Sequence, residues 1–285
     1  MGVVSTGGET RVSRYTAGHW VALQKEGKMD VADRVVLITG SSSGVGAALA
    51  TKLTKMGARV VVNYSRSAEA AEAVVDGITR TGGQALAVQA DVSVEADCKR
   101  MVAATIEQFG QLDVLVNNAG TTTFVPHDQL DALTEDIWLH TLRVNLIGAF
   151  MMSREAAPYI EAAGGGEIVM TSSIASMTAN GSSIAYCASK AGMNSLTRTL
   201  AKTLGKQKIR VNAVLPGLID GDWAFNTWGG GDAEQYEGLK KMFADQTPLG
   251  HVVTPDDVAD TIVSLVTGSD YVTGQLVTLD SGFTL

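Results

Sequence analysis

Val35-Val36-Leu37-Ile38-Thr39-Gly40-Ser41-Ser42-Ser43-Gly44-Val45-Gly46-Ala47-Ala48-Leu49-Ala50 is the stretch that decides the architecture. It opens with four apolar residues in a row, three of them β-branched, and shows no polar alternation. Such a run describes a strand covered on both faces. It passes directly into a turn with three glycines and three serines, and then into a segment of good helix formers. A glycine-rich turn between strand and helix lets the backbone approach a diphosphate closely. The helix start adds free N–H groups and partial positive charge. Strand, turn and helix stand in the order that dinucleotide binding requires, with Gly40, Ser42, Ser43, Gly44, Val45 and Gly46 as the contacts.

The same rhythm continues outward. Short apolar runs recur at Val60-Val61-Val62, Ala85-Leu86-Ala87-Val88, Val114-Leu115-Val116, Ile168-Val169-Met170, Val211-Asn212-Ala213-Val214 and Leu276-Val277-Thr278-Leu279, separated by helix-length segments. Seven strands with helical crossovers predict an α/β fold: a doubly wound, seven-stranded parallel sheet, Rossmann-like, in a single domain. Gly57 and Gly110 fall where helices need a left-handed residue before the next strand. Right-handed crossovers put the ligand at the carboxyl edge of the sheet. The domain is expected over residues 29–285. Residues 1–28 lack periodicity and are expected to form an extension, loosely ordered or packed on a partner subunit.

Bulk properties exclude several classes. At 285 residues, with 45% hydrophobic and 18% charged side chains, the chain is an ordinary globular domain. A net charge of −8 argues against nucleic acid and anionic membranes as partners. No apolar run reaches the roughly 18 residues of a membrane span. Cys98 and Cys187 form no disulfide framework, and the four histidines are scattered, so no metal site is expected. A reducing, cytoplasmic location follows.

The end of the second strand bears on cofactor choice. A site for NAD usually carries a carboxylate there, about 20 residues past the glycines, for the ribose 2′-hydroxyl. The chain has Asn63-Tyr64-Ser65-Arg66 instead. Arg66 and the Ser65 hydroxyl suit the 2′-phosphate of NADP, which a carboxylate would repel. NADP is therefore favoured, with NAD still usable.

Tyr186-Cys187-Ala188-Ser189-Lys190 reads as the start of a helix, so Tyr186 and Lys190 share one face. An ammonium near a phenol is expected to lower its pKa from about 10 and let it exchange a proton while hydride moves. The preceding strand ends in Thr171-Ser172-Ser173, where a hydroxyl can hold a substrate oxygen.

Together these motifs resemble the short-chain dehydrogenase/reductase family, from about Met29 to the carboxyl terminus. Thr39-Gly40 through Gly46 matches its cofactor signature and Asp91-Val92 its adenine contact. Asn117-Asn118-Ala119-Gly120 is similar to its fourth-strand motif, and Pro216-Gly217 to the segment that packs on the nicotinamide. The resemblance implies Tyr186 as general acid/base and Lys190 as the group that tunes it and binds the nicotinamide ribose. Ser173 (with Ser172 the less favoured neighbour) orients the carbonyl, and Asn145 supports a proton relay. Asn63, Tyr64, Ser65, Arg66, Asp91, Val92, Asn117, Ala119, Gly120, Pro216, Gly217 and Ile219 complete the expected cofactor surface. Two positions depart from the family pattern. Gly221 replaces the threonine that contacts the carboxamide, leaving that task to backbone groups of Leu218 and Ile219. Asp280-Ser281-Gly282 replaces Asp-Gly-Gly, a change expected to affect packing. The resemblance also implies a homotetramer.

Asp222-Trp223-Ala224-Phe225-Asn226-Thr227-Trp228-Gly229-Gly230-Gly231 breaks the strand–helix rhythm. It reads as a lid over about 218–247, with Trp223 as the first substrate contact, or as subunit-interface packing. The expected reaction is hydride transfer to or from a small ketone, alcohol or sugar. A 3-oxoacyl-[acyl-carrier-protein] reductase ranks second, because Glu161-Ala162-Ala163-Gly164-Gly165-Gly166-Glu167 lacks the basic residues a carrier protein needs. A non-catalytic dinucleotide sensor or scaffold is the alternative of another class.

Overall fold

The computed structural model describes residues 29–285, so the extension expected over residues 1–28 lies outside the described residues. The chain runs β1 (Val35–Ile38), α1 (Gly44–Lys55), β2 (Arg59–Tyr64), α2 (Ala68–Arg80), β3 (Gln84–Gln89), α3 (Glu95–Phe109) and β4 (Val114–Asn117). It continues through α4 (Glu135–Leu142), a π-helical turn (Arg143–Gly148), α5 (Ala149–Ala162), β5 (Gly166–Thr171), α6 (Ala175–Thr178) and α7 (Ile184–Leu204). The last elements are β6 (Ile209–Pro216), α8 (Asp222–Trp228), α9 (Ala233–Asp245), α10 (Pro255–Thr267) and β7 (Leu276–Leu279). Every predicted strand is present. They form one sheet of order β3-β2-β1-β4-β5-β6-β7, parallel throughout.

The unbroken apolar runs are explained by the two cores. Leu37, Leu115, Ile168 and Met170 face Met101, Met152 and Met193 of α3, α5 and α7. Val36, Ile38, Val60, Val114 and Val169 face Leu49, Leu53 and Ile262 of α1 and α10. Neighbours along a strand thus enter opposite cores, and neither face can be polar. The chain winds outward in both directions from β1 and β4, which opens a crevice at their carboxyl ends.

Local chemistry sets several boundaries. Gly57 and Gly110 take left-handed φ of +91° and +75° after α1 and α3, as expected. Thr254 and Asp257 form a capping box at the start of α10, with Pro255 in its first turn. Ser281, one of the two family departures, takes a left-handed φ of +57° that glycine would adopt without cost. Residues 218–247 hold α8 and α9, joined through Gly230 and Gly231 at φ of +59° and +83°.

The amino edge of the sheet carries buried ion pairs. Asp113 accepts from the Val35 N–H at 2.8 Å and from Arg34 at 2.6 Å. Glu167 accepts from Asn212 at 2.8 Å and pairs with Arg210 at 2.5 Å. Burial raises the Glu167 carboxyl above the usual range, and Arg210 and Asn212 pull it back down. Among the described residues, no helix is long and apolar enough to cross a membrane.

Candidate active site

The glycine turn is stitched to both neighbouring strands. Thr39 Oγ1 accepts from the N–H groups of Asn118 and Ala119 at 2.9 and 3.0 Å. The Asn118 amide donates back to the Thr39 and Gly40 carbonyls at 3.0 and 2.9 Å. Ser41 Oγ donates to the Ile38 carbonyl and accepts from the Asn63 N–H. Asn63 Oδ1 accepts from the Gly40 N–H at 3.0 Å. A Cβ at Gly40 would stand 2.9 Å from Ala119 Cα, and one at Gly46 would stand 2.6 Å from the Gly40 carbonyl oxygen. Only glycine fits either place.

The outer rim of the same turn is open. Ser43 caps α1 without a side-chain bond to it, and the first turn of α1 holds no acidic residue. Gly44, at φ of +54°, has no atom within 4 Å of where its Cβ would be. Ser42 is half-buried and Ser43 and Gly44 are exposed. Unpaired N–H groups, free hydroxyls and an empty Cβ position make a cradle for a diphosphate, so these residues fit a dinucleotide.

The other expected cofactor residues divide into two groups. Tyr64 is half-buried at the end of β2, with Ser65 and Arg66 exposed beyond it. Asp91 is exposed, and its Oδ1 accepts from the N–H and hydroxyl of Ser93. Val92 is buried beneath it, against the place a Gly148 Cβ would occupy. The amides of Asn63 and Asn117, by contrast, are spent inside the protein. Asn63 donates to the Val88 and Ala90 carbonyls, and Asn117 to Ser153 Oγ. Asn63 therefore acts on the turn from below. Val45 and Gly46 are buried in the helix start. Gly217 lies against Asp280, whose Cβ would be 3.1 Å from a Gly217 Cβ, and Ile219 bridges to Val253.

The residues of the proposed proton path converge at the carboxyl edge of β4 and β5. Ser183 caps α7, its Oγ accepting from the Tyr186 N–H at 3.2 Å, which fixes Tyr186 in the first turn. Lys190 follows one turn later and is 4% exposed. Its Nζ donates to the Thr171 carbonyl at 2.7 Å and sits 5.6 Å from the Tyr186 ring centre. Ala119 and Gly120 border the crevice; a Cβ at Gly120 would be 3.6 Å from Asn145 Oδ1 and 3.7 Å from Lys190 Nζ. Asn145 lies in the π-helical turn, fully buried, accepting from the Thr121 N–H and donating to the Thr121 carbonyl and Ser189 Oγ. The Ser173 hydroxyl accepts from the Ala175 N–H at 3.1 Å and lies near enough to Tyr186 to pull its phenol pKa down. Ser172 instead donates to Asn194 at 2.7 Å and is buried away from the crevice.

The electrostatics differ from expectation. The phenol of Tyr186 is not lowered: burial pushes it up to about 12, with the Ser173 hydroxyl pulling the other way. The Lys190 ammonium is pushed down to about 8 by burial. One of its three N–H groups donates to the Thr171 carbonyl, and the ammonium sits 5.6 Å from the Tyr186 ring centre rather than hydrogen-bonded to the phenol oxygen. As folded, burial keeps the phenol neutral.

Aromatic side chains wall the crevice. Trp223 of α8 is half-exposed, with its ring centre 6.0 Å from that of Tyr186. Trp228, at the other end of α8, meets the half-exposed Phe124 edge-on at 5.6 Å. Phe124 belongs to the loop after β4, tied to the α7 cap by the Val125 N–H, which donates to the Ser182 carbonyl. Sequence reasoning missed three positions. Thr39 and Asn118 sit inside motifs it quoted, and Phe124 is the one aromatic residue in the polar run Thr121-Thr122-Thr123-Phe124. One argument also needs correction. The Glu161–Glu167 turn leads into β5 and therefore lies at the amino edge, where Gly165 packs against Lys208. Its acidity is irrelevant to docking at the crevice.

Comparison with known proteins agrees with this geometry. Residues 40–284 match the family described as enoyl-(acyl carrier protein) reductase. The chain is 42% identical over 248 residues to "Granaticin polyketide synthase putative ketoacyl reductase 2" of Streptomyces violaceoruber, covering 87% of this chain and 95% of that one. It is 34% identical over 269 residues to a hydroxynaphthalene reductase-like protein of Metarhizium guizhouense, covering 92% and 99%. A double mutant of a Serratia marcescens short-chain dehydrogenase/reductase superposes with a TM-score of 0.80 at 30% identity, covering 90% of this chain and 100% of that one.

Proposed function

From the premise that the chain belongs to the short-chain dehydrogenase/reductase family, we propose that it is an NADPH-preferring reductase of a ketone borne on a small, ring-containing molecule. The carrying observation is the convergence of Tyr186, Ser173 and Lys190 beneath the Trp223 ring. The open α1 start and the exposed Ser65-Arg66 pair, with no carboxylate at the end of β2, would hold the diphosphate and the 2′-phosphate. When bound, the nicotinamide dinucleotide supplies or accepts the hydride.

The chain's own residues handle the oxygen and its proton. Ser173 donates a hydrogen bond to the substrate oxygen and keeps it beside the phenol. Tyr186 gives its proton as charge builds on that oxygen, a transfer worth about 10²–10⁴ in rate. Lys190 and Asn145, which flank Gly120, would pass a proton from solvent back to the phenol after turnover. Trp223 and the Phe124–Trp228 pair exclude water and favour flat, apolar substrates. Relatives named for ketoacyl and hydroxynaphthalene reduction are in keeping with a cyclic ketone. Exposed Phe150 and Tyr159 on α5 suit a homotetramer, and the unpaired, buried Cys98 and Cys187 suit a reducing cytoplasm.

A carrier-bound substrate is the second reading. A groove of about 480 Å³ beside Ser176 and Met177 carries Arg198 and Lys202, a charge pattern suited to an acidic carrier protein. The deciding experiment follows nicotinamide absorbance with NADPH and NADH over simple ketones, bicyclic ketones and a carrier-protein thioester. The proposal expects NADPH with bicyclic ketones to lead. It also expects Tyr186→Phe to lose at least 100-fold in kcat while still binding cofactor. Thioester turnover far above the ketones would transfer the assignment to the second reading.

A further inference from the structure

Gly221 stands where the family pattern has the threonine that contacts the carboxamide, so that hydroxyl is missing. The structure supplies another hydroxyl at that place. Tyr236 of α9 is 5% exposed, and its hydroxyl oxygen accepts from the Gly221 N–H at 3.1 Å while donating to Asp220 Oδ1 at 3.0 Å. Lys240, one turn further along α9, donates to the other Asp220 oxygen at 3.2 Å and lies 5.2 Å from the Tyr236 ring centre. Phe225 of α8 meets that ring edge-on at 5.5 Å. A Cβ at Gly229 would come within 2.9 Å of the Tyr236 Cβ, so the packing uses the lack of a side chain there. From the opposite side, Val253 holds the segment through bonds between its N–H and the Leu218 carbonyl and between its carbonyl and the Asp220 N–H. Residues 218–221 are thus clamped between α10's leading loop and α9.

We propose that Tyr236 is a positioning residue for the nicotinamide end of the cofactor site, its hydroxyl holding residues 218–221 in the shape that receives the carboxamide and tying that shape to the position of α8 and α9. The inference rests on the nicotinamide reading of the crevice. Its consequence is reciprocal: a cofactor that engages residues 218–221 steadies the lid, and a displaced lid weakens the hold on the nicotinamide.

Tyr236→Phe keeps the ring, its Phe225 contact and the Gly229 packing, and removes only the hydroxyl. Binding to the full chain is titrated with NADPH and with 2′-phosphoadenosine diphosphoribose, a probe that lacks the nicotinamide. A typical hydrogen bond of about 1 kcal/mol corresponds to about five- to tenfold in affinity. The expected result is that loss for NADPH, a change below about twofold for the fragment, and a melting temperature close to wild type. NADPH should also shield the Gly229–Gly231 link from proteolysis in the wild type and fail to do so in Tyr236→Phe. Asp220→Asn should shift both readouts in the same direction. Equal losses for both probes would mark a merely structural role and overturn the proposal, as would unchanged NADPH affinity. A wild type that binds neither probe would bring down the reading of the site itself.

Discussion

Lys190 is a charged group in a place that does not favour charge. Burial lowers its pKa from 10.5 to about 8. Between these values the unfolded chain binds more protons than the folded one, so this group's contribution to stability rises with pH across that window. Comparing wild type with Lys190→Met from pH 7 to 10.5, the wild-type melting temperature should gain on the variant above pH 8. Activity in the variant should be lost at every pH. A gap between the two melting curves that stays constant would show that the lysine is not buried as a cation. The sequence placed Lys190 on the same helix face as Tyr186, and the ammonium lies 5.6 Å from that ring, but the sequence could not show what the ammonium would bond to. The bond to the Thr171 carbonyl depends on where β5 ends relative to α7, which no local pattern encodes.

At the scale of elements, the strands were legible because most are nearly continuous apolar runs, and in the central strands burial on both faces leaves that pattern no alternative. Gly57 and Gly110 marked helix ends for an equally local reason. The capping box at α10 belongs to the same class: Thr254-Pro255-Asp256-Asp257 specifies its own geometry. Thr254→Ala should cost about 1 kcal/mol and lower the melting temperature by about 2–4 °C, measured by calorimetry, without changing kcat. Other features were not legible. The π-helical turn that carries Asn145 has no compositional signature. Asn63 and Asn117 sit at strand ends where a cofactor contact was reasonable, yet their amides are drawn inward by carbonyls and a hydroxyl from distant elements. Likewise, the acidic turn before β5 could be assigned to the crevice only while the strand's direction within the sheet was unknown.

For the whole molecule, the exposed apolar surface is uneven. Leu139 on α4, Ile147 in the π-helical turn and Phe150 and Tyr159 on α5 are all exposed, along one stretch of the chain. Under the homotetramer proposal these side chains would meet another subunit. Phe150→Glu should therefore lower the mass measured by light scattering toward that of a smaller assembly, while its far-ultraviolet dichroism remains that of the wild type. An unchanged mass would remove the tetramer from the proposal.

The parallel sheet separates two kinds of buried ionisable group. Asp113 and Glu167, with their arginines, lie at one rim, and the phenol and its lysine lie at the other, a full strand length away. Variation can therefore explore the first rim for heat tolerance, for instance by exchanging the Glu167–Arg210 pair for apolar residues of similar volume, without disturbing turnover. A directed-evolution campaign could select durability and substrate range on separate libraries and combine the winners additively.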